Sequence, residues 1–281
     1  MLSKAIGGSA PPLRLQYIAT VAFVGTLLLL IYTSIPGHPD IARHMLLLHI
    51  PGRLSDESLQ LLRSVGWETV AVDRISVPEG KESGPEYKDQ YTKLQLFELE
   101  EYDQIFYIDA DALVVKSFPE IWSFPAPFAA CRDIRIGTDT VWLSTINAGT
   151  LLLKPNRRLL AHMLEAAPFI EYEHWFAEQA LLNAYWLRDM TFYPYIFNGQ
   201  LDLKRGFPDI WTALKHDVRI VHYTWNKPWK CDLQVDQLNE RREWLWEWEE
   251  MIEVRERQGL SVPDPLRALA TTGFCAYTSA D

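Results

Sequence analysis

Two carboxylates one residue apart, Asp109 and Asp111, interrupt Tyr107-Ile108-Asp109-Ala110-Asp111-Ala112-Leu113-Val114-Val115, an otherwise apolar, strand-like run. An unpaired carboxylate is costly to bury, so the pair marks a strand end that opens onto a ligand. Two such oxygen-rich side chains can share a hard divalent cation, Mn²⁺ or Mg²⁺, which suits a phosphate-bearing substrate. In an open α/β sheet, ligands bind outside the carboxyl ends of the strands, where this pair would stand. His222 follows the apolar Ile220-Val221 and offers an imidazole nitrogen as a third ligand. Lys227, five residues on, is within reach of a phosphate held by the same cation. Taken singly, each signal has a plainer reading: two solvated carboxylates, a structural histidine, and a surface lysine beside Pro228-Trp229.

The elements that must position these groups read as alternating strands and helices. Met45-Leu46-Leu47-Leu48-His49-Ile50 is a buried strand ended by Pro51-Gly52. Ser55 and Asp56 cap a helix through Leu59–Arg63, and Glu68-Thr69-Val70-Ala71-Val72 is the next strand. Strand, helix, strand at this spacing is the signature of a parallel sheet. A Gly- and Pro-rich loop over Glu79–Glu86 precedes a helical period over Tyr91–Leu99, and Gln104–Ile108 is the strand that delivers Asp109. Phe128–Cys131 and Arg219–Tyr223 read as further strands, and Ile146–Leu153 as a loop entering another strand. Arg157–Ala166 and Glu178–Trp186 read as helices, and Gln234–Arg255 as a charged packing helix carrying Trp244, Trp246 and Trp248.

Leu15–Gly37 carries no charged side chain, and Tyr17–Ile35 is almost continuously apolar. About 20 helical residues cross a bilayer core. Lys4 and Arg14 precede the run, which orients such a helix with its tail cytosolic and the remainder luminal. The competing reading makes Tyr17–Ala22 a buried first strand and Gly25–Ile35 the helix that packs on it, since uniform hydrophobicity has no period to separate the two.

A formal charge of −10 on 281 residues excludes nucleic acid as a partner, because phosphate-backbone binding needs a basic face. With 48% hydrophobic and 23% charged residues the chain is globular. Cys131, Cys231 and Cys275 are too few and too scattered for a disulfide framework or a zinc cluster.

Five motifs occur in order: Tyr91-Thr92-Lys93-Leu94; Tyr107-Ile108-Asp109-Ala110-Asp111; Asn147-Ala148-Gly149; Glu178-Gln179-Ala180-Leu181-Leu182-Asn183; and His222 followed by Lys227-Pro228-Trp229. Together, over Met45–Trp229, they resemble the glycogenin-like family 8 of retaining glycosyltransferases. The resemblance implies an α/β GT-A fold, a mostly parallel sheet flanked by helices, with Mn²⁺ as cofactor, a UDP-sugar donor and a carbohydrate or glycoconjugate acceptor. Carried over by position, Asp109, Asp111 and His222 resemble the metal ligands. Lys93, Asp109, Ala110, Asp111, Asn147, Gly149 and Lys227 resemble the donor-binding set, and Glu178 and Gln179 the catalytic positions. Glu178 replaces the Asp of glycogenin-type members, and no glycine lies between His222 and Lys227.

On this reading residues 1–36 are a tail and transmembrane helix, or else the first strand and helix of the catalytic domain, and residues 37–281 are the GT-A domain. The expected location is that of a single-pass type II membrane protein of the Golgi or ER lumen, with the cytoplasm as the alternative. Two other functions compete. One is a non-catalytic, membrane-tethered relative that only binds nucleotide sugar. The other is an aspartyl-phosphate phosphohydrolase, disfavoured because no Gly-Asp-x-x-x-Asp follows Asp111.

Overall fold

The structure, a computed structural model, describes residues 29–34 (as backbone), 45–64, 66–82, 84, 87–124, 127–134, 145–224 and 256–257. Strands β1 (Leu29–Ser34), β2 (Met45–His49), β3 (Glu68–Ala71), β4 (Gln104–Asp109), β6 (Phe128–Arg132), β7 (Ile146–Leu153) and β8 (Thr191–Phe192) form a seven-stranded sheet in the order β3-β2-β1-β4-β7-β6-β8. A second sheet holds β5 (Ala112–Val114), β10 (Ile220–His222) and β9 (Gly199–Gln200), in the order β5-β10-β9. The helices are α1 (Asp56–Ser64), α2 (Arg157–Ala166), α3 (Ala177–Tyr185), α4 (Leu201–Gly206) and α5 (Pro208–Leu214).

The large sheet is mixed, which corrects the expectation of a mostly parallel one. Only β2–β3 and β6–β8 are parallel, while β1–β2, β1–β4, β4–β7 and β6–β7 are antiparallel. Connection length accounts for part of this. A parallel neighbour needs a crossover of a dozen or more residues. The segment from β2 to β3 has that length and carries α1, as expected, whereas only residues 35–44 join β1 to β2.

β1 also revises the reading of the amino-terminal run. Leu29–Ser34 is a strand hydrogen-bonded between β2 and β4, with Leu29 opposite both Leu48 and Asp109. It stands where the sequence pointed to the end of a helix, whether buried or membrane-spanning, and a helix reaching Ile35 excludes it. The remainder of the run lies outside the described residues, as do the expected helix Gln234–Arg255 and Lys227. Among the described residues, no helix is long and apolar enough to cross a membrane.

Alternation along the strands buries both faces of the large sheet. Leu47, Phe106, Ile108, Ala129 and Leu152 point to one face, where they meet Leu59 and Leu62 of α1, Ile121, Tyr193 and Phe197. Leu46, Leu48, Ile105, Tyr107, Leu151 and Leu153 point to the other, against Leu94 and Phe97 and against Leu160, Met163, Leu181 and Leu182 of α2 and α3. Leu94 and Phe97 lie on a 3₁₀ helix, Gln90–Glu98, which replaces the α-helix expected over Tyr91–Leu99. β4 thus runs through the middle of the core and releases its chain at Asp109, the first position in it that is not fully buried after Ile105–Ile108.

Candidate metal and donor site

Asp109 closes β4, Ala110-Asp111 makes the turn, and β5 begins at Ala112. β10 pairs antiparallel with β5, with His222 opposite Ala112, and the Tyr223 N–H donates to the Asp111 carbonyl at 2.9 Å. This register carries an imidazole to the Asp-x-Asp turn from 111 positions downstream of Asp111. Asp109, Asp111 and His222 each offer a ligand atom, and these atoms lie within 4.8 Å of one another. His222 Nε2 stands 3.2 Å from Asp111 Oδ1. Two carboxylates and an imidazole form a donor set that suits a divalent cation, and the grouping is tight enough for one ion.

Gly149 on β7 makes room for this arrangement. A Cβ at that position would stand 2.5 Å from His222 Nδ1 and 2.8 Å from Nε2. The absence of a side chain there lets the imidazole rest against the strand, so Gly149 serves the site through the histidine.

Lys93 lies beneath the turn, 2% exposed. Its Nζ donates to Glu178 Oε1 at 2.7 Å and to the Ala148 carbonyl at 3.1 Å, and lies 3.2 Å from Asp109 Oδ1. An ammonium has three protons, and these three protein partners account for all of them. Burial opposes the charge on Lys93, but Asp109 and Glu178 outweigh it and hold its pKa above the ordinary lysine value. Burial pushes the Glu178 carboxyl up, with Lys93 pulling it back down. The Tyr107 hydroxyl donates to Asp109 Oδ1, and burial, followed by the nearby Asp109 charge, raises the phenol well above its usual range. Lys93 also sits over the Tyr107 ring at 4.8 Å. Asp109 is therefore oriented from below by a cation and a phenol.

A set of amides adjoins the histidine. Asn147 Nδ2 donates to Asp133 Oδ1 at 3.0 Å, and its Oδ1 accepts from the Gly149 N–H and from Asn198 Nδ2, both at 3.0 Å. Asn198 Oδ1 is 2.9 Å from His222 Nδ1. Gln179 Oε1 accepts from the Ala148 N–H at 2.9 Å, and its Nε2 reaches towards Asp133 Oδ2 at 3.4 Å.

Of the residues singled out from the sequence, Asp109, Ala110, Asp111, Lys93, Asn147, Gly149, Glu178, Gln179 and His222 thus occupy one neighbourhood. Lys227 lies outside the described residues. Asp133 and Asn198 were not picked out, although each had a signal. Asp133 follows the apolar β6 much as Asp109 ends β4, and Asn198 is a polar residue between Phe197 and Gly199 that proves fully buried.

Residues 81–232, more than half of the chain, match Glycosyl transferase family 8. The chain belongs to that family. An α/β domain with both sheet faces covered agrees with the GT-A fold the family implies. The chain is similar to UDP-glucuronate:xylan alpha-glucuronosyltransferase 2 of Arabidopsis thaliana, 27% identical over 69% of this chain and 32% of that protein. It is also similar to glycogenin of Neurospora crassa, 23% identical over 66% of this chain and 27% of that protein. Among solved structures, the glycosyltransferase GlyE of Streptococcus pneumoniae TIGR4 is 17% identical, with a TM-score of 0.49, over 78% of this chain and 57% of that one. The chain spans about a third of the length of the curated relatives it matches.

Proposed function

We propose that this family 8 chain is a metal-dependent, retaining hexosyltransferase that moves a sugar from a UDP-sugar donor to a carbohydrate acceptor. The observation that carries the reading is the convergence of Asp109, Asp111 and His222 within 4.8 Å at the open end of the central strand β4. These three residues would hold Mn²⁺. Such a cation, when bound, offsets charge on a departing diphosphate.

The chain's own residues prepare that site before any ligand arrives. Lys93 and Tyr107 fix Asp109 from the protein side, so its carboxylate keeps its orientation without the donor. Lys93 has no proton left for the donor and acts on it through Asp109. Glu178, 3% exposed, is the counter-ion that keeps Lys93 in place. Asp133, Asn147 and Gln179 form a rigid polar wall beside the turn, the kind of surface that recognises sugar hydroxyls through fixed donors and acceptors. On the family resemblance, Lys227 meets the diphosphate.

The test is UDP release by the full chain with a panel of UDP-sugars. UDP-glucuronate comes first, since it stands in the name of a relative. Release is expected with Mn²⁺, is expected to fall to background in EDTA, and is expected to return on adding back the metal. Turnover that survives EDTA would remove the metal-dependent mechanism. Tight calorimetric binding of UDP and Mn²⁺ with no turnover of any donor would make the chain a nucleotide-sugar binding protein instead.

A further inference from the structure

We infer that Asn198 is a positioning residue that holds a proton on His222 Nδ1, so that Nε2, turned to Asp111 at 3.2 Å, is the nitrogen open to a cation. The direction of every bond in the chain from Asp133 to the imidazole follows from groups that can act in only one way. The Gly149 backbone N–H can only donate, so the atom of Asn147 that it meets is the oxygen. Facing the Asp133 carboxylate, the other end of the same amide must be the NH₂. Because Asn147 Oδ1 is an acceptor, the Asn198 atom 3.0 Å from it is Nδ2. Asn198 Oδ1 is thereby turned to His222 Nδ1 at 2.9 Å, and an oxygen there requires an N–H on the ring.

The residues of this relay are buried. Asn198 is fully enclosed, and Asn147, Asp133 and His222 are each less than a tenth exposed. Flipping either amide would set an oxygen against an oxygen, or an NH₂ against an N–H, out of reach of solvent, so burial makes the orientation costly to reverse. The relay keeps a proton on the ring nitrogen away from Asp111, and Nε2 is left as the nitrogen that can ligate.

In its consequence for a cation the inference rests on the metal reading above, but the Nδ1 proton itself does not. It is tested first in the metal-free full chain, by long-range proton–nitrogen correlation spectra with ¹⁵N-labelled histidine, His222 being assigned by the signal lost in His222→Gln. The expected result is a protonated Nδ1 in the wild type and partial loss of that proton in Asn198→Ala. Mn²⁺ affinity, measured by the paramagnetic resonance signal of the free ion, is expected to fall roughly tenfold or more in Asn198→Ala. Asn198→Asp keeps an acceptor at Nδ1 and is expected to retain the Nδ1 proton, while its second oxygen, set against Asn147 Oδ1, is expected to lower the unfolding midpoint. Circular dichroism and unfolding midpoints of all three proteins separate this role from a structural one, which would lower the midpoint and leave the ring as it was. A wild type with no proton on Nδ1, or an Asn198→Ala protein with unchanged protonation of Nδ1 and unchanged Mn²⁺ affinity, overturns the inference. A wild type with a protonated Nδ1 that binds no Mn²⁺, with that proton lost in Asn198→Ala, upholds the inference and defeats the metal reading alone.

Discussion

Gly149→Ala is expected to lower Mn²⁺ affinity by at least about a hundredfold, the upper end of what removing a supporting group costs a metal site, and to remove UDP release with it. The single added methyl would stand 2.5 Å from His222 Nδ1 and 2.8 Å from Nε2, well inside contact distance. One of the two must give way. β7 is buried along its whole length between β4 and β6, so the strand is the stiffer partner. The imidazole therefore leaves, and with it the contact to Asp111 and the bond to Asn198. The measurement is a Mn²⁺ titration beside the circular dichroism spectrum of the same sample. A folded Gly149→Ala protein that binds Mn²⁺ like the wild type would show that His222 does not contribute to the cation site.

Lys93→Met is expected to destabilise the domain by about 3–5 kcal/mol, the range for removing one partner of a buried ion pair. The loss goes beyond a single attraction. Glu178 would remain buried with its charge unmatched, the Ala148 carbonyl would lose a donor, and Asp109 would lose its support. Methionine fills most of the volume, so the effect reports on charge rather than on a cavity. Urea unfolding of Lys93→Met, Glu178→Gln and the double variant checks this. If the pair is coupled, the double variant should regain about 1 kcal/mol or more relative to the sum of the two single losses. A cost below about 1 kcal/mol for Lys93→Met would mean the lysine is not holding the site together.

The difference between these two residues shows which parts of the site can be read from a linear chain. Asp109 and Asp111 stand out because carboxylates interrupt an apolar run, and a strand period places the break at a sheet edge. His222 is legible as the polar end of a short strand. Lys93 is recognisable as a family position, but its burial is not visible in Tyr-Thr-Lys-Leu. That burial arises because α3 brings Glu178 against the 3₁₀ helix and β7 brings the Ala148 carbonyl. Asn198 and Asp133 acquire their roles from the pairing of β9 with β10 and from the end of β6, contacts between distant segments that no local pattern encodes.

The fold shows the same division. Strands β2, β3, β4 and β6 and helices α1, α2 and α3 lie within a residue or two of where periodicity and capping put them, while β7 begins at Ile146, where the sequence reads as the loop leading into it. The short β8 and β9 and the pair α4–α5 escaped notice, being too brief to develop a period. β1 was obscured for the opposite reason. The run that leads into it, from Tyr17 on, is almost continuously apolar, so the alternation that marks a half-buried strand is missing. Strand direction is legible only for β2 and β3, where the α1 crossover marks a parallel pair; elsewhere it is set by the length of the connection and by what covers the faces rather than by the strand itself.

The register that lays His222 beside Ala112 has a thermodynamic corollary. A ligand that requires both the aspartates and the histidine can bind only a molecule in which β10 has docked on β5. Occupancy of the site is thus linked to completion of the fold, across a closed loop of about 110 residues. At a free concentration a hundred times its dissociation constant, such a ligand contributes about 2.7 kcal/mol to the stability of the entire domain. The melting temperature then becomes a readout of cation binding that needs no donor, no acceptor and no knowledge of the sugar.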